Sequence, residues 1–303
     1  MSSGTVKQIK IKASRETLLF RVLGGTLVTA AALCCLIPFI ILISGSFTSE
    51  HSIAVDGYSI FPKEFSLEAY RILFGNPVTI LRGYGVSILV TVSGTAAGLF
   101  IVAMTAYVLS RRDFKYRNKI SFFFYFTTLF NGGLVSSYIF YIRYLHLKNS
   151  YLALIFPLLF NVFYLLIMRS FMSSIPSSII ESARMDGSGE FGLFLRIVLP
   201  LAKPGLATVG MFIALDYWND WYNAMLYISN HKKFPLQYML YNLLFQSEAM
   251  KRLSSCTSIL LKDLPSQSLK LAMAVIAAGP AILIYPFIQN YFVKGITIGA
   301  VKG

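Results

Sequence analysis

The chain has 303 residues, 56% of them hydrophobic and only 13% charged. A soluble domain carries about a quarter charged residues, so too little polar surface remains to keep this chain compact in water, and an integral membrane protein is expected. The formal net charge of +14 would suggest nucleic acid in a soluble protein, but in a membrane protein it is open to a second explanation, the excess of Lys and Arg that faces the cytoplasm.

Residues 1–21 are polar and basic, with Lys7, Lys10, Lys12, Arg15 and Arg21. The apolar run at 22–47 exceeds the ~20 residues needed to span a bilayer, and it is too long for a signal-peptide core. It is expected to be an uncleaved first span, bent at Pro38. Within the polar stretch that follows, Ser66 to Phe74 reads as a short amphipathic helix capped by Ser66, with Glu68 in its first turn. The second span, 82–109, is rich in Gly, Ser, Thr and Ala, which let helices approach closely in lipid. Arg111, Arg112, Lys115, Arg117 and Lys119 then form a basic turn.

A third span is expected at 120–141, interrupted by Asn131-Gly132-Gly133, and a fourth at 151–168. A charged segment, 169–203, separates it from a fifth span at 204–228. A polar segment, 229–268, precedes a sixth span at 269–293 that contains Gly279, Pro280 and Pro286. The fold class expected is therefore an all-α membrane protein of six helices, with residues 22–303 as one transmembrane domain behind a short N-terminal segment. With six spans both termini share a side, and that side holds 16 of the 27 Lys and Arg residues. The densest cluster is the short 111–119 turn, and short loops weigh most in this rule. The N-terminus, C-terminus and 169–203 loop are therefore expected in the cytoplasm. Topology accounts for much of the charge, and no nucleic-acid partner is expected.

Few motifs point to chemistry. GSGEFG (Gly187 to Gly192) fits a dinucleotide pattern that has meaning only between a strand and a helix, and here it lies in a charged loop. The sequence has no phosphate-cradling G-x-x-x-x-G-K-[ST] motif. His51, His146 and His231 fall on separate loops expected on the outer side. Cys34, Cys35 and Cys256 make neither a disulfide framework nor a metal spacing. No metal site and no catalytic convergence is expected.

Two polar stretches break the apolar pattern. In the fifth span, Asp216, Asn219 or Asp220, Asn223 and Tyr227 share one face at helical spacing, flanked by Trp218, Trp221 and Tyr222. Acidic groups at membrane depth usually face a cavity or a partner, and carboxylates and amides beside aromatic rings suit a sugar. The competing reading is an aromatic belt at the outer interface. His231 to Phe245 alternates apolar and polar residues like a helix lying on the membrane surface or against a partner.

The other stretch runs from Glu181 to Pro200: a short charged helix, a break at Asp186-Gly187, and a second segment closed by Ile197-Val198-Leu199-Pro200. Its pattern, E-S-A-x3-G-x9-I-x-L-P, resembles the EAA loop of permease subunits in bacterial ABC importers. Glu181, Ala183, Gly187, Ile197, Leu199 and Pro200 match in identity and spacing, and Ser182 replaces a second Ala. With the RRDFKYRN turn, the Trp-Asn pair of the fifth span and the GAVKG ending, the chain is similar over its length to the second permease of maltose-type carbohydrate importers. The nearest likeness is to importers of oligosaccharides or polysaccharide fragments such as alginate and pectin fragments.

The resemblance implies a multi-pass subunit of the bacterial plasma membrane, paired with a second, related permease. Two cytoplasmic ATPase subunits would bind ATP and magnesium, so this chain would carry no cofactor. An external solute-binding protein would deliver an oligosaccharide, with the 229–268 loop reaching into it. The EAA loop would couple the ATPase to the spans, Glu181 pairing with a basic residue of the ATPase. A membrane-embedded enzyme of polysaccharide assembly, using Asp216 and Asp220 as a catalytic pair, is the alternative expectation.

Overall fold

The computed structural model describes residues 15–130, 132–256, 267–280 and 282. The expected GAVKG tail, residues 281 and 283–293 of the sixth span and residues 257–266 lie outside the described residues. The described residues are helical, with no strand beyond an isolated bridge between Thr48 and Phe65. They fall into two compact units, one reaching from the N-terminal helix to Ala69 together with 267–272, the other from Tyr70 onward together with 273–282.

The first unit contains α1 (Arg15–Ser46) and α2 (Glu50–Asp56), and α3 (Glu68–Leu73) begins at its end. Helix α1 continues unbroken through Pro38 and is apolar all round, and its apolar residues stay exposed. Such a helix has no water-facing side, so lipid or another chain must surround it. Ser49 caps α2 by accepting from the Ser52 amide at 3.2 Å. The Glu68 amide donates to the Ser66 hydroxyl at 3.2 Å, which bears out the cap expected for α3. The carboxylate of Glu50 accepts from the amides of Gln267 and Ser268 at 2.9–3.0 Å, satisfying donors that the start of a helix leaves free.

The second unit is built on α4 (Pro77–Ser110). At 1.5 Å per residue its 34 residues reach about 51 Å, well beyond the ~30 Å hydrocarbon core. Its buried positions Gly83, Ser87, Val90, Gly94, Gly98, Val102 and Ala106 recur every three or four residues, so one face meets its neighbours along its length. A Cβ at Gly94 would enter the Tyr217 ring, and one at Gly98 would stand 2.9 Å from the Leu159 carbonyl. The small residues of this span thus do the expected work of close approach.

The third span is broken, as its Asn-Gly-Gly suggested, into α5 (Arg117–Leu129) and α6 (Gly133–Ile139). The break centres on Gly133, whose φ is +82°. The fourth span is broken where no interruption was expected. Helix α7 (Leu152–Ile155) passes through a tight turn over Phe156–Leu158, and α8 (Val162–Ser173) restarts at a 58° angle. Pro157 lacks the N–H that continuation needs, and the Asn161 side chain accepts from the Phe163 amide at 2.8 Å to begin the new helix.

Helices α9 (Ser177–Met185), α10 (Glu190–Leu193) and α11 (Leu199–Leu201) occupy the charged loop, with a wide helical turn over Phe194–Val198. They lead into α12 (Lys203–Asn219), which meets the preceding segment at 85°. After it come α13 (Tyr222–Tyr227), α14 (Leu236–Cys256) and α15 (267–280). Leu165, Met168, Leu193, Val198, Val209 and Ile213 are among the fully buried side chains of this unit's core. Residues 273–280 of helix α15 are held to this unit by two bonds onto their main chain. The Tyr84 hydroxyl donates to the Ile276 carbonyl at 2.6 Å and the Trp218 indole to the Ala277 carbonyl at 3.1 Å.

Among the described residues, α1 from Leu19 and α4 are single helices long and apolar enough to cross a membrane, and the two bent pairs raise the total to four. The third span falls short as an unbroken helix because of Gly133, and the described part of the sixth is too short.

Candidate functional site

The loop between α8 and α12 is built from its two helix ends. Helix α9 begins directly after Pro176 and ends in a Schellman motif, with the Ser188 amide bonded to the Ala183 carbonyl at 3.1 Å and the Gly187 amide to the Arg184 carbonyl at 2.9 Å. This closure requires a left-handed residue after the helix, and Gly187 supplies it at φ +79°. A Cβ there would meet nothing within 4 Å, so the demand is on backbone conformation alone.

Ala183 points inward and is buried, with Ile180 packed against the same core. Glu181, Ser182, Asp186 and Gly187 are exposed. Among the described residues Glu181 takes no ion-pair partner. Ile179, Phe191 and Leu195 are exposed apolar residues on the same segment, and Met185 is 89% exposed at the end of α9. Past the turn, Leu193, Phe194 and Val198 anchor the segment in the core. The Phe194 ring lies 5.4 Å from that of Tyr107 and 6.3 Å from that of Phe100, both on α4. Ile197 and Leu199 are partly buried against the same core, and Pro200 is exposed.

Four charged side chains from two separate loops close into a ring beside this turn. Arg111 grips Asp113 through both ends of its guanidinium, at 2.7 and 3.0 Å. Arg184 reaches Asp113 at 3.0 Å and holds Glu190 through Nε at 3.0 Å and again through Nη2. Glu190 returns to Arg111 at 3.1 Å. The Tyr107 hydroxyl sits inside, donating to Glu190 and accepting from Arg111, each at 2.8 Å. The hydrogen bond from Arg111, reinforced by Arg184 and opposed by partial burial, brings the Asp113 carboxyl down to about 2. Glu190 is lowered by its bonds to Arg184 and Tyr107. The available signal was that Asp113 is the one acid in the basic 111–119 turn.

The fifth span departs from expectation. A single helical face through Asp216, Asn223 and Tyr227 does not exist, because α12 stops at Asn219. The carboxylate of Asp220 accepts from the Asn223 amide at 3.1 Å and from its side chain at 2.9 Å. A short acidic side chain that captures the amides ahead of it starts a new helix rather than continuing the old one. Trp218, Asp220 and Asn223 are thereby engaged within the chain, Trp218 on the Ala277 carbonyl.

Asp216, Asn219, Trp221 and Tyr222 remain exposed. Asp216 accepts from the Tyr164 hydroxyl at 2.6 Å, and Asn219 from the side chain of Gln237 at 3.1 Å. Trp221 stacks on Tyr241 of α14 with ring centres 4.1 Å apart. Nearby, Asn149 at φ +58° ties the loops together, its side-chain oxygen accepting from the amides of Ser229 and Asn230. No three His, Cys, Asp or Glu side chains converge to hold a metal among the described residues.

Residues 98–298 match the family model described as "binding-protein-dependent transport system inner membrane component". The chain belongs to this family. The permease is 42% identical to Protein LplC of Bacillus subtilis over 88% of its own length and 90% of the relative's. It is 40% identical to the polygalacturonan/rhamnogalacturonan transport system permease protein YtcP of the same organism, over 90% and 94% of the two chains. Its structure superposes on a chain of a bacterial ABC transporter involved in the import of the acidic polysaccharide alginate. The TM-score is 0.77 with 28% identity, covering 92% of this permease and 98% of that chain. The permease is a transport subunit of the inner membrane, and the alternative of a polysaccharide-assembling enzyme is set aside.

Proposed function

We propose that this permease forms half of the translocation path of an ATP-driven importer of oligosaccharides or polysaccharide fragments. The names of its relatives, a polygalacturonan/rhamnogalacturonan transport system permease and a transporter involved in the import of the acidic polysaccharide alginate among them, support a large, partly acidic sugar as cargo. A second, related permease would complete the path, and an external binding protein would deliver the solute against the 229–268 loop. Two cytoplasmic ATPase subunits would hold ATP and magnesium. The basic 111–119 turn supports a cytoplasmic position for both termini and for α9 to α11.

The observation that carries this reading is the form of the α9 projection. It is a short helix stopped by a left-handed glycine, with Met185, Ile179 and Phe191 exposed on the same segment as Glu181, which has no ion-pair partner among the described residues. Apolar side chains beside an open carboxylate fit a cleft on another protein that offers a cation and an apolar floor. Glu181, Ser182, Asp186 and Gly187 would contact the ATPase, while Ala183, Ile197, Leu199 and Pro200 set the projection on the spans. Asp216, Asn219, Trp221 and Tyr222 are the side chains best placed to meet sugar, with Trp218, Asp220 and Asn223 holding the helix break that presents them.

Replacing Gly187 with Trp forces a side chain into a left-handed conformation that costs about 1–2 kcal/mol and adds bulk at the contact. In proteoliposomes that contain all subunits, uptake should fall to background. Normal uptake with the ATPase still bound would overturn the coupling role.

A further inference from the structure

The ring of Arg111, Asp113, Arg184 and Glu190 joins segments that the chain itself does not connect. Helix α9 is covalently continuous with α8 through Ser174, Ile175 and Pro176, and with α12 through the 85° bend at Ala202. It has no short covalent link to α4, the longest helix of the second unit, which packs against both α8 and α12. A displacement of α9 would be absorbed in part at the Ala202 bend. The ring bypasses it: Arg184 rides on α9, Glu190 stands across the Gly187 turn, and both are clamped to the end of α4 by Arg111, Asp113 and Tyr107.

The charges of the ring cancel. Isolated surface ion pairs contribute little, but here the Arg111 side chain is only 10% exposed and is shared between two carboxylates, one of them gripped in bidentate fashion. A cation so withdrawn from water needs both partners in place, so the parts of the ring move together. Phe194 against Tyr107 and Phe100 packs the same junction from the apolar side.

Resting on the coupling role proposed above for α9, we propose that this ring is a strut that transmits displacement of the coupling helix directly to the cytoplasmic end of α4, making Arg184, Glu190 and Asp113 positioning residues for transport. Arg184 and Glu190 are exposed enough to be replaced without emptying a core.

The test uses the complete importer in proteoliposomes, with radiolabelled solute uptake and ATP hydrolysis followed in the same vesicles. Arg184→Gln and Glu190→Gln should each lower the solute imported per ATP about five-fold, the scale of one lost network interaction. The ATPase should still co-purify, and the double variant should be no worse than either single one, because both break the same ring. An unchanged ratio, additive losses, or loss of the ATPase from the complex would overturn the strut. Gly187→Trp in parallel separates the two ideas. If it uncouples while Arg184→Gln transports at the normal ratio, only the strut fails; if it transports normally with the ATPase bound, the coupling role fails and the strut with it.

Discussion

At the scale of single residues, the turn after α9 depends on Gly187 for its backbone and on four charges for its place. The two carboxyls of the ring have a defined pH response. Asp113 is depressed from 3.8 to about 2 when folded, so its contribution is complete above the unfolded value and is lost as pH falls from about 4 towards 2. Glu190 shifts the same way. Hydrogen exchange of the amides of residues 184–190, corrected for intrinsic rates, should therefore give constant protection from pH 7 to 5 and reduced protection near pH 3. Protection that begins to fall already at pH 6 would mean that the ring does not hold the turn. Little of this was legible in the sequence. Asp113 and Arg184 lie 71 positions apart, and in the sequence Arg111 speaks only to topology, through its sign. The spacing of Glu181, Ala183, Gly187 and Pro200 was legible because one helix, one left-handed turn and one proline fix it locally.

At the scale of elements, apolar runs located the spans, but neither the short polar helix α2 nor the points where helices stop. The third-span break could be read from Gly132-Gly133, since glycine marks such a place directly. The breaks near Pro157 and Asp220 were missed because each depends on what a polar side chain bonds to, and Asn161 or Asp220 in a helix-compatible run has two options. Asp220→Ala should remove the cap of α13 and leave the buried Asn223 amide without its acceptor. A lost cap costs about 1 kcal/mol, enough to lower the melting temperature of the detergent-solubilised protein by a few degrees. Asp220→Asn, which retains an acceptor for the Asn223 amide, should lose less. Equal melting temperatures for wild type and both variants would mean that the break is set by packing instead. The polar face expected around Asp216 is thus split by its own cap into residues that hold the break and residues that stay open.

At the scale of the whole molecule, the hydrophobic content and the sparse charge already dictated a helical membrane protein, and the family matched over residues 98–298 agrees. What the sequence left out is how distant spans are fastened, because those bonds join positions far apart in the chain. Tyr84 and α15 are an example. The hydroxyl donates to the carbonyl of Ile276, and four residues further on stands Pro280, where a helix would normally provide the amide for that carbonyl. Proline has none to give, and an unpaired carbonyl in a water-free surrounding is expensive. The tyrosine therefore stands in for a missing main-chain donor, and two residues nearly two hundred positions apart are chemically one unit. Tyr84→Phe should destabilise the protein in detergent, whereas in a Pro280→Ala background, where residue 280 regains its amide, the same change should be close to neutral. A double-mutant cycle on thermal unfolding reads this directly, and strict additivity would refute it. A proline in the last span is then tolerable because of a phenol on the second, so over evolutionary time Tyr84 should be replaceable only after Pro280 has gone, whereas Pro280 can be replaced first.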